Sequence, residues 1–142
     1  MIAINFIVPG NPQGKGRPRF SRNGHHTYTP KKTTDYENLI KRCYLEQSNY
    51  KIPINVPVRI SILAVFSMPK NTSKANKLHM ILKKIRPCKK PDGDNIEKAV
   101  LDALNGIAYE DDRQVVMCEW EKVYHEKNPG LVITIEALNY ED

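Results

Sequence analysis

Cysteine is scarce here, with three in 142 residues, and Cys43, Cys88 and Cys118 are odd in number and widely spaced. With no C-x-x-C pair among them, neither a disulfide framework nor a zinc site is indicated. The four histidines are also scattered. His25 and His26 stand together in a polar stretch, where solvated or phosphate-contacting roles are commoner than metal ligation. There is no run of about 18 apolar residues to cross a bilayer as a helix and no charged-then-apolar leader at Met1. Internal repeats and low-complexity segments are also missing. The expectation is one soluble, cytoplasmic domain spanning residues 1–142, long enough to bury a core without staples.

Acidic residues are nearly missing from the first two thirds of the chain. Residues 1–91 carry 18 Lys and Arg against 3 Asp and Glu, a net of +15, whereas residues 92–142 carry 4 against 13, a net of −9. The overall charge of +6 hides this partition. Basic segments flanking a carboxylate cluster suggest a polyanion held by the first part and acted on by the second.

Hydrophobic periodicity gives the coarse organisation. Ile2, Ile4, Phe6 and Val8 alternate toward Pro9-Gly10 as a strand. Residues 9–30, rich in Gly, Pro, Arg and Lys, read as a long loop or loose hairpin. Thr33 or Thr34 is expected to cap a helix running to about Gln47. Val56, Val58, Ile60, Ile62, Ala64 and Phe66 alternate through a long strand, and residues 70–90 read as a brief helix or loop. A helix follows from an expected N-cap at Asp94 to Gly106. Its wheel buries Ile96, Val100, Leu101, Ala103 and Leu104 and turns Asp94, Lys98 and Asp102 outward. Val115–Tyr124 and Leu131–Leu138 read as strands, with Asn128-Pro129-Gly130 between them suggesting a hairpin. The fold class is α+β, with a mixed, mainly antiparallel sheet and two main helices.

The chemistry concentrates between Pro91 and Gln114. Asp92 and Asp94 stand one residue apart, and Asp111-Asp112 close the segment. Carboxylates at this density repel, and a hard divalent cation, Mg²⁺ or Mn²⁺, is the economical counter-ion for such oxygen ligands. A calcium loop would need a continuing ligand series and a terminal glutamate at fixed offset, which are missing. Taken singly, each acidic pair is also ordinary turn and cap chemistry. Asp92, Asp94 and Asp112 are expected to converge from separate elements, with Lys98 one turn into the helix to neutralise a phosphate oxygen.

Lys90-Pro91-Asp92-Gly93-Asp94-Asn95-Ile96-Glu97-Lys98, Leu101-Asp102-Ala103-Leu104-Asn105-Gly106 and Asp111-Asp112-Arg113-Gln114-Val115-Val116 together resemble the RusA family of Holliday junction resolvases. Pro9 through Arg19, and Tyr28-Thr29-Pro30 with Thr33, Tyr36 and Glu37, are similar to the N-terminal pattern of many Gram-positive and phage members. The resemblance implies a homodimeric, Mg²⁺-dependent endonuclease that resolves four-way DNA junctions by paired nicks. By position, the family's three essential aspartates fall on Asp92, Asp94 and Asp112 and its catalytic lysine on Lys98, with Asp111 as a supporting acidic neighbour. Each subunit is expected to supply its own set. Gly93 stands where many members carry a bulkier residue, a difference that is harmless where the side chain points to solvent.

Lys15, Arg17, Arg19 and Arg22, interleaved with Phe20 and Tyr28, are expected to track DNA phosphates and offer rings for stacking, with Lys89 and Lys90 carrying the positive surface to the motif. Two other readings remain open: a less selective nuclease of branched DNA, and a DNA-binding accessory protein without cleavage activity.

Overall fold

The computed structural model describes residues 2–16, 19–22, 24, 26–28 and 30–139, and for Arg19 the backbone only. Arg17, Pro18, His25 and Thr29 lie outside the described residues. The elements run β1 (Ala3–Pro9), β2 (Arg19–Phe20), β3 (Thr27–Tyr28), α1 (Lys31–Gln47), β4 (Val58–Ser67), α2 (Lys74–Ile81), α3 (Gly93–Leu104), β5 (Val115–His125) and β6 (Gly130–Ala137). The fold is α+β, as its element pattern suggests.

β4 organises the sheet. Val58, Ile60, Ile62, Ala64 and Phe66 are all buried, while the alternate residues Arg59, Ser61, Leu63, Val65 and Ser67 are half-buried. A strand covered to that degree on both faces belongs in the interior of a sheet. The observed order is β1-β6-β4-β5, with β6 antiparallel to β1 and β4, and β5 parallel to β4. This corrects the expected hairpin. β5 and β6 follow one another through a short turn, with Asn128 at φ +55°, yet do not pair, because β4 lies between them. Turn chemistry permits a hairpin but does not outweigh the burial of β4.

β4 and β5 are out of simple alternation at one point. Val58 faces Val115 but Arg59 faces Met117, so Val116 is an extra residue. Side chains alternate with period two, so this bulge reverses which face every later residue of β5 occupies. Cys118, Trp120, Lys122 and Tyr124 thereby share register with Ile60, Ile62, Ala64 and Phe66.

One sheet face carries α1 and α3, whose buried residues join Phe6, Val8, Ile60, Leu131, Ile133 and Ile135 in one core. Tyr36, Ile40, Cys43 and Tyr44 bury the apolar side of α1, and Tyr44 meets Phe6 edge-on at 5.3 Å. In α3 the buried set is Gly93, Ile96, Ala99, Val100, Ala103 and Leu104, close to the arc read from the wheel, with Leu101 only half-buried. The capping expectation for α1 is overturned. Pro30 occupies the N-cap position, and the buried Thr33 instead accepts a hydrogen bond from Gly16 N at 2.8 Å. The stretch 70–90 contains the short helix α2, capped by Ser73 through Asn76 N at 3.1 Å.

Gly130 allows the close approach of β1 to β6, because a Cβ there would lie 2.4 Å from the Val8 carbonyl oxygen. Gly130→Ala is expected to destabilise the chain by about 2 kcal/mol, since the opposing atom is backbone and cannot swing aside. Urea unfolding measures this, and a midpoint equal to wild type would contradict it.

Candidate metal centre

α3 starts two residues before the position that sequence suggests. Asp92, in extended conformation (φ −64°, ψ 148°), is the N-cap, and Asp94 lies within the first turn. Asp92 O accepts from Asn95 N and Ile96 N, both at 3.1 Å, yet its side chain makes no capping bond. An aspartate in this position ordinarily accepts from the second or third helical N–H. Here its carboxylate is left over. Asp92, Asp94 and Lys98 are all exposed, and none has a side-chain hydrogen bond or ion pair among the described residues. The positive end of the helix dipole favours negative charge, and a bound anion or its counter-ion, at this point.

Two segments fix this turn. Gly14-Lys15-Gly16 crosses it, with Lys15 N donating to Asn95 O at 3.0 Å. A Cβ on Gly14 would sit 2.8 Å from Pro91 Cβ, so only glycine allows that crossing. From β5, Lys122 Nζ donates to the carbonyls of Lys89 (2.6 Å) and Pro91 (3.0 Å). The Lys90–Pro91 peptide is cis. Gly93 is buried against Trp120, whose ring carbons would lie 2.2 Å from a Cβ. The position of Gly93 therefore does not face solvent, and a bulkier residue there is not harmless in this chain. Gly14, Lys15, Gly16, Lys90, Pro91, Asp92 and Asn95 line an open cleft of about 540 Å³.

The second acidic pair divides its roles. Asp111 caps a 3₁₀ turn, Asp112–Gln114, by accepting from Arg113 N at 2.9 Å. That N–H holds the Asp111 carboxyl below its ordinary pKa, against an opposing desolvation and with help from the Arg113 charge. Buried Gln114 completes the turn, accepting from Glu110 N and Asp111 N and donating to Pro53 O and Val56 O. Asp112 has a different standing: its backbone N–H is held by Asn105 Oδ1 at 3.1 Å, and its side chain is exposed and outside the capping box. Buried Tyr109, which donates to Leu101 O at 2.9 Å, titrates well above its ordinary range through burial first and then the nearby Asp112 and Asp102 charges.

The expected convergence within one chain does not occur. Asp92 and Asp94 stand at the start of α3, whereas Asp112 is tied to Asn105 just past its end. A helix of 12 residues separates them by on the order of 15–18 Å. Among the described residues, no three His, Cys, Asp or Glu side chains come together closely enough to hold a metal ion. The free carboxylates suit a hard cation in donor type, but one chain gathers only part of a ligand set.

The basic residues also differ from a simple phosphate track. Lys15 pairs with Asp102 at 2.5 Å and Glu37 at 3.4 Å, which raise its pKa and tie the loop to α1 and α3. Arg22 and Lys90 are exposed. Lys89 lies over the Phe66 and Tyr124 rings at 5.8 and 5.9 Å. β2 and β3 pair as a small ribbon bearing exposed Phe20 and Tyr28. Sequence reading missed Lys122, Trp120, Asn105 and Gln114. The alternation of Trp120 and Lys122 was visible, but its face depends on the Val116 bulge, which leaves no composition signal.

The family model described as endodeoxyribonuclease RusA matches residues 9–136. The chain belongs to the RusA family. It is also 37% identical over 143 residues to the uncharacterised protein YqaN of Bacillus subtilis strain 168, an alignment covering 98% of this chain and 99% of that protein. RusA membership implies endodeoxyribonuclease activity of the Holliday junction resolvase type, with branched DNA as substrate. No helix among the described residues is long and apolar enough to cross a membrane.

The division within the Asp111-Asp112 pair makes a prediction. Asp111→Ala should lower the melting temperature, because the turn loses its cap, while Asp112→Ala should leave it near wild type. The Asp111 contribution is full above the ordinary carboxylate pKa and disappears as pH falls through the lowered folded value. Thermal melts of both variants between pH 7 and pH 3 test this, and equal losses would contradict it.

Proposed function

We propose that this protein is a divalent-metal-dependent, structure-selective endonuclease that acts as a homodimer and resolves four-way DNA junctions by paired nicks in the cytoplasm, serving recombination and repair. The observation that carries the metal reading is the uncommitted carboxylate pair at the start of α3: Asp92 declines the capping bond its position offers, and Asp94 beside it is unpaired. Side chains left so are suited to an external cation. Asp92 and Asp94 would hold Mg²⁺ or Mn²⁺, which when bound supplies Lewis acidity toward a phosphate oxygen and a more acidic water. Lys98, exposed one turn further along α3, is suited to hold a phosphate oxygen as charge develops. Arg22, Lys89 and Lys90, with the loop that carries Arg17 and Arg19, provide positive charge for the backbone, and Lys15 acts mainly by fixing that loop.

Asp112 enters this reading through the dimer. Its distance from Asp92 along α3 makes a one-chain ligand set unsuitable, while a two-fold arrangement can bring Asp112 of the partner subunit to the start of α3. Two such composite sites, one per strand, fit a junction with approximate two-fold symmetry. A metal that needs both subunits also restrains a lone chain from nicking DNA.

Asp92→Asn, Asp94→Asn and Asp112→Asn homodimers should each lose Mg²⁺-dependent cleavage of a synthetic four-way junction, by about 10³-fold or more, and retain junction binding. Normal nicking by any one of them at saturating Mg²⁺ would remove that residue from the site. Dimers formed from one Asp92→Asn and one Asp112→Asn subunit decide the sharing. A composite arrangement leaves them one intact site and one nick per junction, whereas inactivity equal to both homodimers would show that each subunit uses its own set.

A further inference from the structure

Every carboxylate proposed as a metal ligand needs something to hold its backbone, and at the start of α3 that support comes from one face of β5. Three alternate residues on one face of this strand run antiparallel along the helix. Cys118 lies against Glu97, its thiol pushed up to about 12 chiefly by burial, with the Glu97 carboxyl bonded to it. Trp120 lies against Gly93. Lys122 reaches the carbonyls of Lys89 and Pro91. The two carbonyls that Lys122 grips flank Lys90, and Asp92 follows directly. Gly93, against the indole, separates Asp92 from Asp94.

We infer that Lys122 and Trp120 are positioning residues that set the geometry of Asp92 and Asp94. This inference rests on the metal-dependent reading above. The Lys122 ammonium is fully used: two carbonyls accept from it, and the Phe66 ring lies 5.3 Å away. It has no carboxylate partner among the described residues, in contrast to Lys15, Lys51, Lys77 and Lys83, which pair with acids. A cation buried partly in backbone carbonyls contributes geometry to the chain that carries them. Trp120 adds the second restraint. Its ring packs where any side chain on residue 93 would go, yet 45% of the residue remains exposed. The first turn of α3 is therefore held from below by an indole and from its N-terminal side by an ammonium. Groups that orient metal ligands without touching the ion typically change its affinity 10–100-fold when removed.

Trp120 is the single tryptophan of the chain, so its emission reports on this turn. The test is Mn²⁺ titration of the intact protein without DNA, followed by tryptophan fluorescence, with junction cleavage and thermal melting measured in parallel. Lys122→Met keeps the aliphatic stem over Phe66 and removes the ammonium. It should weaken Mn²⁺ binding by about tenfold and slow cleavage at subsaturating metal, with excess metal restoring most of the rate and junction binding in EDTA unchanged. Lys122→Arg, which keeps donors for the two carbonyls, should recover most of the affinity. If Lys122→Met fails to fold, Lys122→Gln carries the same comparison. Gly93→Ala should push the indole into water, shifting its emission to the red and weakening Mn²⁺ by a similar factor. Folded variants that bind Mn²⁺ as tightly as wild type would overturn the positioning role. A wild-type protein that neither responds to Mn²⁺ nor cleaves would instead overturn the metal-dependent reading itself.

Discussion

The repulsion between Asp92 and Asp94 is the constraint to which the rest of this molecule answers. Two exposed carboxylates stand one residue apart with no ion pair to offset them among the described residues. A chain with 22 Lys and Arg has ample cations to neutralise them. Three around the turn are committed elsewhere, Lys15 to Asp102 and Glu37, Lys122 to backbone carbonyls and Lys89 to two aromatic rings, while the exposed Lys90 and Lys98 make no ion pair with the two aspartates. The helix dipole offsets the repulsion by roughly 0.3–1 kcal/mol per charge, so the two carboxylates can stand together without a protein cation between them. The fold tolerates this local cost because the turn is gripped on several sides, by the glycine loop, the indole and the lysine of β5.

The same architecture explains why the basic first part and the acidic second part of the chain meet where they do. The loop of residues 14–16 is locked across the start of α3 by the Lys15 N–H, which donates to the Asn95 carbonyl, and against α1 by the Gly16 N–H, which donates to the Thr33 hydroxyl. The β2–β3 ribbon, with exposed Phe20 and Tyr28, follows this loop in the chain. Lys15 does not serve as a free phosphate contact. Its pairing ties the loop to α1 and α3.

Much of this was legible in the residues, and the failures share a cause. Periodicity identified β1, β4 and the buried side of α3, because burial on one face writes directly into sequence at period 2 or 3.6. The acidic motif was visible for the same reason that it is costly: unpaired carboxylates at high density are uncommon. What stayed hidden was relational. The Asn128-Pro129-Gly130 turn signals a hairpin, but only the two-sided burial of β4 decides that β6 and β5 flank it. Asp94 looks like a cap until Gly93 proves helical. Thr33 looks like a cap until Gly16 is found bonded to it. The three aspartates read as one cluster because sequence carries no direction, and α3 sets Asp112 at the far end. The role of Trp120 and Lys122 turns on a single extra residue, Val116, which shifts the facing of a whole strand.

The central claim is that Asp92 and Asp94 are kept uncommitted in order to hold a divalent cation. Isothermal titration of Mn²⁺ into the DNA-free protein tests it most directly, comparing wild type with the Asp92→Asn/Asp94→Asn double variant. The account predicts saturable binding by wild type and its loss in the double variant, whose cooperative thermal melt shows that it remains folded. Undiminished Mn²⁺ binding by a folded double variant would contradict it.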